Sequence, residues 1–134
     1  MTQPAKRVLP AITAANRHFW CGGADGQLHI LRCANDHWIH PYAARCPTCR
    51  SPKIGPQPVS GKGTVAGFTV NHQPWVPGVE VPYVVAIVEL AEQHDIRLMT
   101  NMPRTPIEDV HVGMPVKVFF EQNGEIWVPL FEAA

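Results

Sequence analysis

Apolar and polar positions alternate through much of the second half of the chain, and the elements they predict are strands. Tyr83 to Leu90 (YVVAIVEL) is the most strongly apolar run and predicts a central strand. Gly63 to Val70 (GTVAGFTV) is rich in β-branched and aromatic residues and predicts another. Ile96 to Asn101 follows a polar turn, Glu92-Gln93-His94-Asp95. Pro115 to Glu121 and Glu125 to Phe131 flank Gln122-Asn123-Gly124, whose Asn-Gly pair is a strong hairpin signal. Between Asn101 and Pro115, the stretch Pro106 to Gly113 predicts a turn of helix. Five short strands with one helical interruption are the ingredients of a small Greek-key barrel such as the OB-fold, although the pattern by itself also allows a sandwich.

The first half reads differently. Ile12 to about Gly22 predicts a short helix with His18-Phe19-Trp20 as an apolar anchor, broken by the run Gly22-Gly23-Ala24-Asp25-Gly26. Gln27 to Arg32 alternates well enough for a strand. Ser51-Pro52-Lys53-Ile54-Gly55-Pro56-Gln57-Pro58 cannot be a helix interior or a central strand, because each proline lacks an N–H and fixes φ. It reads as an extended connector. The expected organisation is therefore a helix and a small ribbon over residues 1–51, a proline-rich connector over 52–59 and a five-stranded barrel over 60–134. The fold class is mainly β.

Charge sharpens that division. Residues 1–59 hold seven Lys and Arg against only Asp25 and Asp36, a balance of +5, whereas residues 60–134 hold four against nine acids, a balance of −5. Such asymmetry suggests two units with different surfaces. The hydrophobic fraction of 46% is ordinary for a globular protein. No apolar run approaches the roughly 20 residues of a membrane span. The N-terminal stretch Met1 to Arg7 has no long apolar region, so no secretion signal is read and a cytoplasmic location is expected.

In such a compartment, four cysteines with three of them clustered point to a metal site rather than to a disulfide framework. Cys46-Pro47-Thr48-Cys49 is a zinc knuckle in which two thiolates on one tight turn can face one ion. Cys33 lies on the other side of a short excursion, as the opposite knuckle of a ribbon would. Three thiolates favour zinc over hard cations. The fourth ligand is open. Asp36 stands at the Cys-x-x-Cys position and is favoured by position; His37 is favoured by chemistry; His40 and Cys21 are further options.

Other chemistry is sparse. Ser51 and Ser60 are the only serines and neither has a nucleophile-elbow setting. There is no Gly-x-Gly-x-x-Gly and no phosphate loop. His72 and His111 stand alone and read as surface histidines. No catalytic residue is assigned.

The order of features resembles an acyl-CoA-associated family built from a rubredoxin-like zinc ribbon followed by an OB-fold. The resemblance is carried by Phe19-Trp20, Gly26-Gln27-Leu28, Arg32-Cys33, Pro41 and Cys46-Pro47-x-Cys49 with Ser51. It continues through Ser60-Gly61-x-Gly63-Thr64-Val65, Phe68-Thr69-Val70, Pro82 to Leu90, Gly113-Met114-x-Val116-x-Val118 and Pro129-x-Phe131. The first knuckle departs from the family's usual Cys-x-x-Cys-Gly, since Asp36-His37 stand in its place. The resemblance implies an accessory, non-catalytic subunit in a hetero-oligomer with a thiolase-like enzyme that acts on acyl-CoA, by acyl transfer or by carbon–carbon bond formation or cleavage, including aldol-type cleavage. It implies structural zinc, and a CoA ester near the interface. Phe19, Trp20, Trp38 and Tyr42 are candidate partner anchors, with Trp75 in the loop 71–81 as another. Two rival classes are a free-standing acyl-CoA-binding protein and a single-stranded nucleic-acid binder; the −5 balance of the barrel half disfavours the second.

Overall fold

Two antiparallel sheets make up residues 7–134, the part of the chain described by the computed structural model. The first sheet contains β1 (Leu28–Cys33), β2 (Trp38–Ile39) and β3 (Ile54–Val59) in the order β2-β1-β3. The second contains β4 (Lys62–Asn71), β5 (Tyr83–Leu90), β6 (Arg97–Asn101), β7 (Pro115–Asn123) and β8 (Ile126–Ala133) in the order β6-β5-β4-β7-β8. A short helix, α1 (Arg17–Cys21), precedes β1. No helix among the described residues is long and apolar enough to cross a membrane.

The five predicted barrel strands are all present, and β5 covers the predicted span with a partner on each side. Its inward residues Val84, Ala86, Val88 and Leu90 are all buried, so burial alternates along a run that is apolar on both faces. The Val65–Gly67 register shift places a β-bulge at Ala66 and bends β4. The two edge strands then approach each other, with the Thr100 hydroxyl of β6 donating to the Pro129 carbonyl of β8 at 3.4 Å. Residues 7–10 and α1 lie over this seam, around a crevice of about 160 Å³. The β7–β8 hairpin is closed by Gly124 and Glu125, since Asn123 pairs with Ile126. Gly124 takes the first loop position with φ +64, the arrangement in which glycine is required.

Three expectations change. The proline-rich stretch is not a free connector: residues 54–59 pair along their length with β1, from Cys33–Ile54 to Leu28–Val59. The strand is tolerated because it is an edge, and Pro56 and Pro58, two residues apart, lack their N–H groups on the same side. The helix is shorter than Ile12–Gly22. The Asn16 side chain bonds the backbone at Thr13 (2.8 Å) and Ala11 (3.0 Å), competing with helix formation before Arg17. At the other end Gly22 does not stop the coil; a 3₁₀ turn runs through Gly22–Asp25 to Gly26, whose φ is +83.

The sheets share one core. Leu28 and Ile30 of β1 and Val59 of β3 pack with Val65, Val88, Val116 and Phe131 of the barrel. Ser60 and Gly61 alone separate β3 from β4. Gln93, in the β5–β6 turn, accepts from Trp38 N and donates to Trp38 O, both at 3.0 Å, and so ties the ribbon's outer strand to the barrel.

Candidate metal centre

Two knuckles bring four donors together at the tip of the ribbon sheet. β1 ends at Cys33, and the chain turns back so that Cys33 N donates to His37 O (2.9 Å) and Asp36 N to Cys33 O (3.0 Å). In the second knuckle Cys46 N donates to Ser51 O (3.0 Å) and Arg50 N to Cys46 O (2.8 Å). Asp36 (φ 68) and Arg50 (φ 63) are the non-glycine residues with positive φ among the described residues, one in each turn. Aspartate tolerates that conformation better than most residues.

Cys33, His37, Cys46 and Cys49 place their ligand atoms within 4.8 Å of one another, and the set can hold a metal ion. His37 Nδ1 is 3.5 Å from Cys33 Sγ and 3.7 Å from Cys46 Sγ, and Cys33 Sγ is 3.7 Å from Cys49 Sγ. The position favoured for the fourth ligand is therefore corrected. Asp36 is exposed, and its carboxylate lies 3.8 Å from Arg32 Nε, outside the cluster. The left-handed turn at Asp36 carries its side chain to solvent and presents the next residue, His37, to the thiols. His40 packs instead against the Phe19 ring, with centroids 4.8 Å apart, and Cys21 lies on α1 beside Arg17.

The electrostatics favour the thiolate at Cys49 and Cys46 and disfavour it at Cys33. The side chain of Asn35 donates to Cys49 Sγ at 3.2 Å, and this bond, with the backbone contact at Ser51, lowers the Cys49 thiol to about 6. Burial pushes Cys46 up, but backbone N–H bonds involving Cys49 and Thr48 outweigh it and the net shift is downward. Burial raises the Cys33 thiol, against the backbone N–H groups of His37 and Asn35. His37 is raised, first by its bond to Cys49. A metal ion would replace the shared protons of this cluster, because bound thiolate and neutral imidazole are the ligand forms.

The aromatic residues divide. Phe19 and Trp20 are half-buried, edge-to-face at 4.9 Å, with Phe19 on the shared core and Trp20 on Ile126, Val128 and Leu130. Trp38 is half-buried with the Arg32 guanidinium 4.6 Å above its ring. Tyr42 (56% exposed) and Trp75 (74% exposed) stand out from the surface. His72 and His111 are exposed and far from the thiols in sequence. One feature escaped the sequence: a groove of about 610 Å³ on the barrel, between the loop 72–82 and the 3₁₀ turn Ile107–Asp109. Its walls come from positions as far apart as Arg7 and Glu121, so no local pattern announces it.

Residues 56–121 match the ChsH2 C-terminal OB-fold domain. The chain is 36% identical over 132 residues to a probable enoyl-CoA hydratase alpha subunit of Thermomonospora curvata, covering 97% of this chain and 41% of that protein. It is 33% identical over 117 residues to the 3-oxo-4,17-pregnadiene-20-carboxyl-CoA hydratase alpha subunit of Mycobacterium tuberculosis, covering 87% of this chain and 37% of that protein. The chain thus spans about two fifths of the length of these curated relatives. Among solved structures, an Ltp2-ChsH2(DUF35) aldolase superposes with a TM-score of 0.82 at 34% identity, covering 93% of this chain and 98% of that one. A DUF35 domain-containing scaffold protein of Methanocaldococcus jannaschii is 34% identical over 98 residues, 71% of this chain and 68% of that protein. The likeness extends from before the ribbon through the barrel, and the chain belongs to the DUF35 family.

Proposed function

We propose that this chain is a non-catalytic accessory subunit that docks on a thiolase-like enzyme acting on acyl-CoA, with acyl transfer or aldol-type carbon–carbon chemistry carried by the partner. The observation that carries the reading is the similarity along nearly the whole chain to the DUF35 component of an Ltp2-ChsH2 aldolase. Two further relatives are alpha subunits of hydratases of CoA thioesters, and another is named a scaffold protein. Tyr42 beside the ribbon and Trp75 on the barrel loop are exposed aromatic side chains suited to anchor a partner. Phe19, Trp20 and Trp38 are half-buried and pack within the chain instead.

The metal in this reading is zinc with a structural role. Tetrahedral zinc with Zn–S of about 2.3 Å and Zn–N of about 2.0–2.1 Å requires ligand–ligand edges of roughly 3.6–3.8 Å. Three of the six donor separations, 3.5 to 3.7 Å, fit that figure, and all six lie within 4.8 Å. Four protein donors close the coordination sphere, which leaves no position for substrate. The thiol set suits a reducing compartment such as the cytoplasm.

Co-expression with a candidate thiolase-like partner, followed by gel filtration, tests the subunit reading. Co-elution with acyl-CoA activity dependent on both chains is expected. A chain that elutes alone and turns over a CoA ester unaided overturns it.

A further inference from the structure

The barrel groove shares no lining residue with the thiol cluster, and neither the metal centre nor the docking aromatics account for it. Its volume of about 610 Å³ falls in the range of small-molecule sites, roughly 300–1,000 Å³. Its walls are aliphatic: Val76 and Val79 from the loop, Val84 from β5, Met102 after β6, and Ile107 from the 3₁₀ turn, with prolines between them. Tyr83 is the single aromatic residue of the lining, so a purine ring would find little to stack on.

Charge narrows the ligand further. The charged residues of the lining are Arg7, Glu80 and Glu121. Arg7 is already held: its Nε is 2.9 Å from Glu121 Oε1 and its guanidinium donates to Asn101 Oδ1 at 3.0 Å. Asn101 in turn donates to Val84 O at 2.8 Å, which fixes the assembly to β5. With Arg7 paired to Glu121, Glu80 is the uncompensated charge of the lining, and the groove disfavours phosphate. Its polar capacity suits an uncharged oxygen at most, through Thr105 or Tyr83 at the edge.

We propose that this groove receives the apolar acyl group of a thioester substrate and leaves the nucleotide of CoA outside. The word thioester rests on the accessory-subunit reading; the apolar, uncharged character of the ligand rests on the lining alone. In this arrangement the chain sets how long or bulky an acyl group the complex accepts, while contributing no group to the reaction.

The test uses the full chain and then the complex. Methyl NMR of the full chain, titrated with octanoyl-pantetheine and separately with CoA, should show shifts at Val79, Val84 and Ile107 with the first and none with the second. Val79→Trp, from the loop wall, and Ile107→Trp, from the opposite wall, should each weaken octanoyl-pantetheine at least tenfold. In the complex the same variants should lower kcat/KM for an octanoyl thioester about tenfold relative to an acetyl thioester, with the partner still co-eluting. Shifts confined to other methyls, equal response to CoA, or an unchanged chain-length profile would overturn the proposal. Loss of the partner from both variants would make the groove a protein contact and overturn it as well. If the wild-type chain never captures a thiolase-like partner, the subunit reading fails, and the titration of the chain alone still decides what the groove binds.

Discussion

In the barrel, Val65, Ala86, Val88, Val116 and Phe131 are at most 1% exposed and pack in one cluster reaching from β1 to β8. In the ribbon tip the buried cluster is Leu31, Cys33, Ile39 and Cys46, and two of those four are metal donors. A barrel of that kind is held by apolar burial spread over many side chains. The ribbon tip has too little apolar surface for that, and in the proposed reading its order rests on a metal held by the four donors, as in other small units of this kind. The comparison teaches that one chain can combine two kinds of stability, with different sensitivities to chelation, truncation and acid.

The largest effect should come from the metal. Structural zinc binds with an apparent free energy of about 10–16 kcal/mol near neutral pH. Chelation, Cys46→Ala or His37→Ala should each abolish the one-to-one metal content measured by elemental analysis. Hydrogen exchange should then lose protection around residues 33–53 and keep it in β5. Equal loss in β5 would erase the distinction between the sheets.

The second effect belongs to the barrel. Phe131 is fully buried, and Phe131→Ala should lower unfolding stability by about 3–5 kcal/mol, read from the urea midpoint, while the folded protein keeps its metal. A variant that loses metal in its native state would mean the barrel also sets the knuckle geometry.

The third lies where the two regions meet. Burial, with a smaller contribution from His18, depresses His40 to about 4. A base depressed on folding stabilises the fold above its unfolded value near 6.5, and that stability is lost as pH falls through the window from 6.5 to 4. The loss should be on the order of 2–3 kcal/mol, and His40→Gln should flatten the pH profile of the melting temperature across that window. An unaltered profile would remove His40 from the joint.

The smallest effect sharpens the ligand assignment. Asp36→Asn keeps a residue that tolerates positive φ and removes only an exposed ion pair with Arg32. Metal content should be unchanged and stability should move by no more than about 0.5 kcal/mol. Loss of metal in this variant would return the fourth position to the carboxylate.

What the sequence disclosed follows the physics of each part. Tyr83–Leu90 was legible because a central strand concentrates β-branched and other apolar residues in one short run, and Asn123-Gly124 because a tight hairpin demands glycine. Cys33, Cys46 and Cys49 were legible as a set because two thiols on one tight turn and a third across a short excursion have the spacing of metal donors. The choice between Asp36 and His37 was not, since it depends on a left-handed residue that turns one side chain out and the next one in. Spacing carries no record of that rotation. Pro56 and Pro58 argued against a central strand, correctly, but an edge strand tolerates them, and the pairing with β1 is a long-range property. The groove is hidden for the same reason: Arg7, Val79, Val84 and Ile107 meet only after the barrel has folded.

The turn Ser60–Gly61 has a bearing on how this molecule could be divided. Gly61 has φ +77, and a Cβ there would fall 2.4 Å from a methyl of Val118. Glu92 accepts from Ser60 N at 2.7 Å. There is no slack at this junction, and Leu28, Ile30 and Val59 belong to the barrel's own interior. A barrel transplanted without its ribbon strands would carry a bare apolar wound where β1 and β3 had been. Gene fusions and splits in which such a chain takes part should therefore cut before the helix or after the last strand, with ribbon and barrel travelling as one cassette.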